Sequence, residues 1–424
     1  MRKAWTLAVG AGIAGLAATC SPQIRQRPVI GPGSTSGDPA VSALVQSDNA
    51  FGFKLFRLVD RAETHRNLCV SPISAALALQ MTYNGAAGTT QKEMQTTLAL
   101  AGRSPKVVSK GNAELVTELA KADPTVALKV ANSIWVDKSG ALPPKPEFVR
   151  RAREDYRATV GNLIGAPETI NAWVRKATND KIASILNKSE MANAVAVLVN
   201  AVYFKGAWTT PFQQSATRNA VFHKLDGTRS DVKMMHTTGA FSYLKGDGFE
   251  AVRLPYGRGE FSMMLFLPEE GRFAEFLTKL TSQNWREWRS QLRAGAGHLG
   301  LPHFHTEFTL PLERVLADLG MPNAFIGGRA NFSNLAGLPG EIYIGLARQK
   351  TYIDVNEEGT EAAAATVIVM TRGARRVLQQ FDLTFDRPFV YAIQDERSGA
   401  VLFLGTMLDP AITTPNVTLS TLSR

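Results

Sequence analysis

The sequence predicts an α+β fold, and three observations carry that expectation. Helix-period and strand-period stretches are mixed along the chain, without the strand–helix–strand alternation of a parallel sheet. Residues 195–207 (VAVLVNAVYFKGA) are apolar on both faces and rich in β-branched and aromatic side chains, as a central strand covered from two sides must be. With 45% hydrophobic and 20% charged residues, the chain has the composition of a globular protein with a sizeable core. Its 424 residues are compatible with one large unit or with two or three smaller ones.

Residues 1–20 read as an export leader. Arg2 and Lys3 form a charged start, and residues 4–18 an apolar stretch too short and too rich in Gly and Ala to span a bilayer comfortably. Leu16-Ala17-Ala18-Thr19-Cys20 resembles a bacterial lipoprotein box, in which Cys20 would carry the lipid. Ala17 and Thr19 depart from the residues usual in such a box, and cleavage after Ala18 to a soluble product is the alternative. Residues 21–40, rich in Pro, Gly, Ser and Gln with no apolar period, read as a flexible tether. Both readings export the protein, either as an envelope lipoprotein of the periplasm or outer membrane or as an extracellular protein. Any membrane contact is expected only through the N-terminal lipid.

From Pro39 the pattern turns helical, with Leu44, Phe51, Leu55 and Leu58 on one amphipathic helix. Asn67-Leu-Cys-Val-Ser-Pro-Ile-Ser74 reads as a short strand stopped by Pro72, followed by a buried small-residue helix over 75–83. Cys69, among Leu68, Val70 and Ile73, reads as an inert buried thiol. Residues 253–256 and 261–268 read as further strands, and 310–319 as a helix stopped by Gly320. Residues 411–424, rich in Thr and Ser, read as a disordered tail. The net charge is +10, but Lys and Arg are scattered rather than gathered, so no nucleic-acid partner is expected.

One segment is unlike the rest: Glu357-Glu358-Gly359-Thr360-Glu361, then Ala362, Ala363, Ala364, Ala365 and Thr366, then Val367-Ile-Val-Met370, then Thr371-Arg372-Gly373-Ala-Arg375-Arg376. Taken alone, the alanine run suits a helix as well as a strand. The three β-branched residues that follow disfavour the helix somewhat.

Residue by residue this segment resembles the hinge and reactive-site loop of inhibitory serpins. Other stretches fit the same family in the family's order: Asn67 to Ser74, Asn200 to Trp208 (NAVYFKGAW), Met234-Met-His236, Leu301-Pro-His-Phe304, Leu319-Gly-Met321, Ala330-Asn-Phe-Ser333, and Asp386-Arg-Pro-Phe389 through Phe403-Leu-Gly405. The resemblance covers residues 41–410 as a serpin domain. It implies three β-sheets surrounded by eight or nine helices, with an exposed reactive-centre loop. It also implies a protein that is not an enzyme, needs no cofactor or metal, acts as a monomer, and inhibits serine proteases, with cysteine proteases as the alternative, as a single-use substrate. In this family the loop is cleaved, an acyl-enzyme forms covalently with the target, and the N-terminal half of the loop enters the main sheet as a new strand.

A strand that must slide into a packed sheet needs small or apolar side chains at every second position. Counting by two from Thr360 gives Thr360, Ala362, Ala364, Thr366, Ile368 and Met370, with no charge or proline among them. Thirteen positions separate Gly359 from Arg372, an arrangement similar to the loop of antiplasmin, so Arg372–Gly373 is the expected scissile bond. Arg375 and Arg376 are alternatives, and all three suit a trypsin-like pocket. The family positions that govern opening of the sheet fall on Ser71, Ser74, Asn200, Trp208 and Gln349. Gln349 stands where the family usually has a His that bonds the residue matching Asn200; a glutamine can donate and accept but cannot become cationic. A non-inhibitory serpin, acting as a binding or structural envelope protein, is the alternative function.

Three weaker signals point elsewhere. Ser230-Asp-Val-Lys233 and Ser242-Tyr-Leu-Lys245 match the S-x-x-K pattern of penicillin-interacting enzymes, but neither opens a buried helix. His303 and His305 alternate on a strand-like stretch and could form half a metal site, with no further Cys/His cluster to complete it. Asn331-Phe-Ser333 and Asn416-Val-Thr418 match the glycosylation pattern.

Overall fold

The computed structural model describes residues 38–63, 66–136, 141–191, 194–360 and 379–412. Helix α1 (Pro39–Ala62) starts where Pro39 occupies the first helical position and the Asp38 carboxylate accepts the Ala40 amide at 2.7 Å. Strand β1 (Leu68–Val70) runs directly into α2 (Pro72–Tyr83), every residue of which is buried. This helix begins at Pro72 and not at residue 75, because proline starts a helix as readily as it ends a strand. Its small side chains let α1 approach so closely that a Cβ on Gly52 would lie 2.2 Å from that of Pro72.

Next come α3 (Gly88–Thr97), α4 (Pro105–Lys121), β2 (Val126–Val136), α5 (Pro146–Tyr156), β3 (Thr159–Asn162), α6 (Glu168–Ala177) and β4 (Ala196–Ala207). A strand-rich stretch follows: β5 (Arg218–His223), β6 (Arg229–Lys245), β7 (Phe249–Tyr256) and β8 (Phe261–Pro268). Then come α7 (Phe273–Lys279), α8 (Ser282–Gln291), β9 (Arg293–Pro302), β10 (Phe304–Pro311) and α9 (Glu313–Asp318). The chain closes on strands β11 (Ile344–Asn356), β12 (Gly359–Thr360), β13 (Gln379–Thr384), β14 (Phe389–Asp395) and β15 (Val401–Met407). The helix expected over 310–319 is therefore shorter. Leu310 and Pro311 remain in β10, held opposite Gln349 and Arg348 of β11.

By hydrogen-bond continuity the strands form two sheets among the described residues. The six-stranded sheet has the order β10-β11-β12-β4-β2-β3. The other has the order β1-β15-β14-β8-β7-β6-β9-β13, with β5 beside β6. What would otherwise be two separate sheets is joined here by β6. This long strand pairs with β5 through residues 229–234, with β9 through 234–243 and with β7 through 242–245.

Strand β4 shows why its sequence is apolar on both faces. Ala196, Leu198, Val202 and Phe204 belong to the main core, whereas Val197, Val199 and Ala201 join a second cluster with Ile170 and Val174 of α6. A strand covered on both sides has no solvent-facing row, so its one mid-strand amide, Asn200, must find buried partners.

Candidate functional site

The feature of interest lies where β4 and β11 part. From Ile344 opposite Ala196 to Tyr352 opposite Tyr203 the two strands pair directly and in parallel. Beyond that point they diverge, and the two residues of β12 fill the gap. Gly359 and Thr360 pair antiparallel with Asn356 and Val355 on one side, and with Ala207 and Gly206 on the other. Gly359 is at φ +147, and a Cβ there would lie 2.2 Å from the Gly206 carbonyl oxygen, so only glycine fits.

Thr360, fully buried, points to the main core side, where its hydroxyl lies 2.7 Å from that of Tyr256. Burial pushes the Tyr256 phenol well above its usual range, with the Thr360 hydroxyl opposing, so this ring stays neutral. Trp208 stacks on Tyr256 at 4.4 Å between centroids; its indole donates to the Asn356 carbonyl at 3.0 Å and its amide to the Glu358 carbonyl at 2.8 Å. Glu357 accepts from the Thr217 hydroxyl at 2.6 Å and faces His303 Nε2 at 2.8 Å. Burial raises the Glu357 carboxyl, but the Thr217 hydrogen bond, the backbone amide and His303 outweigh it and hold the group below its usual value.

A second polar centre sits halfway down the paired strands. Gln349 donates to Asn200 Oδ1 at 2.7 Å and to the Ser71 carbonyl at 3.0 Å, while its own carbonyl accepts the Ser71 amide at 2.9 Å. Asn200 donates in turn to Asn132 Oδ1 at 2.5 Å and to the Ser74 hydroxyl. The Ser71 hydroxyl donates to the Leu402 carbonyl at 2.5 Å. Ser71, Ser74, Asn200 and Gln349 are all fully buried. This amide cluster clamps β4, β11, β2 and the start of α2 together, and it contains no titratable side chain. The glutamine thus makes the hydrogen bond to Asn200 that the family resemblance assigns to a histidine.

The residues singled out in the sequence divide cleanly. Ser71, Ser74, Asn200 and Gln349 converge in the amide cluster, and Trp208, Glu357, Glu358, Gly359 and Thr360 at the parting of the strands. Cys20, Glu361 to Thr366, Arg372, Gly373, Arg375 and Arg376 lie outside the described residues. Sequence reasoning missed Tyr256, Thr217 and Asn132, whose roles come from contacts across long stretches of chain and leave no local signal. It also misread His303, which lies in the turn before β10 and faces Glu357, while His305 packs edge-on against Tyr352. Among the described residues no group of three or more His, Cys, Asp or Glu could hold a metal ion. Cys69 is buried and unpaired, and burial pushes its thiol up to about 11, so it is inert. Both S-x-x-K matches lie on strand β6, where positions three apart face opposite sides.

The family model for serpins, serine protease inhibitors, matches residues 46–410. An uncharacterized serpin-like protein of Thermococcus kodakarensis is 33% identical over 88% of this chain and 86% of its own length. Plasminogen activator inhibitor 1 of Sus scrofa is 31% identical over 89% of this chain and 94% of its own. Among solved structures, the thermophilic serpin tengpin in its native state superposes with a TM-score of 0.78 at 28% identity, covering 89% of this chain and 96% of that one. Human thyroxine-binding globulin complexed with thyroxine gives a TM-score of 0.80 at 25% identity, covering 88% of this chain and 99% of that one.

Proposed function

The chain belongs to the serpin family, and on that premise we propose that it inhibits a trypsin-like serine protease as a suicide substrate cleaved between Arg372 and Gly373. The observation that carries this reading is β12. Gly359 and Thr360 of the hinge already form a strand between β4 and β11, with Thr360 turned to the core as the period-two alternation requires.

The register of β12 sets what further insertion entails. Each residue added beyond Thr360 falls opposite one residue earlier on both β4 and β11. Thr366, six positions on, falls between Asn200, six before Gly206, and Gln349, six before Val355. Insertion must therefore break the Gln349–Asn200 hydrogen bond, and it delivers a threonine hydroxyl to the place where that bond was. Met370 falls opposite Ala196, the first residue of β4, which leaves Arg372 just past the far end of the sheet. Twelve residues of strand beyond Thr360 correspond to a displacement of about 40 Å at about 3.3 Å per residue. In the covalent step the protease serine attacks the Arg372 carbonyl, the Gly373 amine leaves with the displaced proton, and the ester to Arg372 travels with the strand. The cationic Arg372 side chain matches the acidic base of a trypsin-like pocket.

Mixing the purified protein with trypsin tests this: an SDS-stable complex should form and a C-terminal peptide beginning at Gly373 should be released. Digestion without any complex would overturn the inhibitory reading. A non-inhibitory binding role is the second reading, favoured by the likeness to thyroxine-binding globulin. Under that reading, cleavage of the loop should leave the thermal midpoint nearly unchanged, whereas insertion should raise it sharply. As part of the same proposal, residues 1–20 export the chain to the cell envelope and Cys20 anchors it there by lipid; mass spectrometry of the mature N-terminus checks this.

A further inference from the structure

The six-stranded sheet has one edge that is only partly covered. On its outer side β2 is paired by β3 at Ser133–Val136 alone, opposite Thr159–Asn162, while on its inner side β4 accompanies it from Val126 to Val136. Among the described residues nothing hydrogen-bonds the outer backbone edge of residues 127–132, a length of about 20 Å. Free edges are ordinarily blunted by proline or by several charges. Residues 127–132 contain no proline and one charged side chain, Lys129.

Alongside this edge runs a cleft of about 590 Å³, bounded by Leu77, Val116 and Leu119 on one side and by Trp173 and Ala177 of α6 on the other. Its lining combines these apolar side chains with polar groups, among them Asn132 and Thr159, and its lips are cationic. Lys129 and Arg157 are exposed and, among the described residues, neither has a carboxylate partner; Arg157 contacts only the Thr117 hydroxyl, at 3.3 Å. Asp123, the one acid in the lining, is already engaged by the Thr125 amide and hydroxyl and by the Arg258 amide at 2.6–2.8 Å.

An unpaired strand edge, apolar side chains within a mixed cleft and two cations without carboxylate partners form one set of complementary features. We propose that the outer edge of β2 is a strand-addition site for an extended acidic segment of a partner protein. The added strand would satisfy the free amides and carbonyls of residues 127–132. Its apolar side chains would enter the cleft, and its carboxylates would face Lys129 and Arg157. The site is separate from the gap between β4 and β11 and does not depend on the inhibitory reading.

The test uses the full chain and a fluorescein-labelled peptide, acetyl-Thr-Glu-Val-Asp-Val-Thr-amide, followed by anisotropy and by amide hydrogen exchange. Saturable binding is expected, with slowed exchange confined to the segment around residues 126–132. The double variant Lys129→Glu/Arg157→Glu, at two exposed positions, should keep its thermal midpoint and bind about tenfold more weakly. N-methylation of alternate peptide amides should abolish binding, because it removes the ladder and keeps the side chains. Absence of binding, binding indifferent to N-methylation, or protection on β4 and β11 instead of β2 would each overturn the proposal.

Discussion

The two polar centres along β4 and β11 are built on opposite principles. At the parting of the strands, Gly359 and Thr360 are held by contacts that include a carboxylate facing an imidazole, Glu357 with His303, and an aromatic stack, Trp208 on Tyr256. Halfway down, the strands are closed by neutral amides and hydroxyls that are fully buried and mutually satisfied. The upper centre has a strand already seated in the sheet. The lower centre must lose the Gln349–Asn200 hydrogen bond before that strand can lengthen. A buried neutral network resists opening strongly because each group left unpaired bears its full desolvation cost. The strand is thus seated where a charged carboxylate and aromatic rings line the gap, and the sheet is shut where only neutral amides and hydroxyls meet.

The largest effect should come from the lower centre. Gln349→Leu leaves the Ser71 amide and the Asn200 carbonyl without partners, and urea unfolding should show a loss of about 2–4 kcal/mol. A loss below half of that would mean that the cluster does not bar the sheet as its geometry implies. At the upper centre, Gly359→Ala places a Cβ against the Gly206 carbonyl and adds about 1–3 kcal/mol of local strain. We expect it to displace β12 and alter the fluorescence owed to Trp208, measured against Trp208→Phe, with a smaller change in global stability.

Tyr256→Phe removes one hydroxyl partner of Thr360 and should cost about 0.5–1.5 kcal/mol. It sharpens the comparison by testing whether the seated strand needs that hydrogen bond or only the glycine. The smallest effect is one of pH. Glu357 titrates in the folded protein below its ordinary value of 4.5, so its contribution to stability is complete above that pH and is lost as the pH falls through the folded value. The Trp208 signal should therefore change in mild acid and lose that dependence in Glu357→Gln. Exchange of the Ser71 amide, held by neutral groups, should show no corresponding transition beyond the intrinsic pH dependence of exchange.

Much of this could be read in the amino-acid sequence. The two-sided apolar run of β4 is a local consequence of burial on both faces, and the buried thiol of Cys69 follows from its apolar neighbours. The resemblance of successive motifs grouped Ser71, Ser74, Asn200 and Gln349, scattered over nearly 280 positions, together with Trp208, which the structure places at the parting of the strands instead. Local pattern was least reliable at boundaries, because Pro72 can end a strand or begin a helix and only the surrounding packing selects between them. It also missed the helix–strand boundary at Leu310 and Pro311, where pairing with Gln349 and Arg348 overrides the helical pattern.

What the sequence by itself determined was the fold class and the residue pattern: an α+β chain, an alternating run from Thr360 to Met370, a glycine at 359, and at 349 a glutamine able to donate and accept. The tertiary structure alone decided that Gly359 and Thr360 are seated between β4 and β11, that Tyr256 and His303 meet the hinge, and that β2 keeps a free edge. Those facts depend on strand register and on contacts between residues far apart in the chain. No local preference encodes such contacts, because their energies exist only once the sheet is assembled.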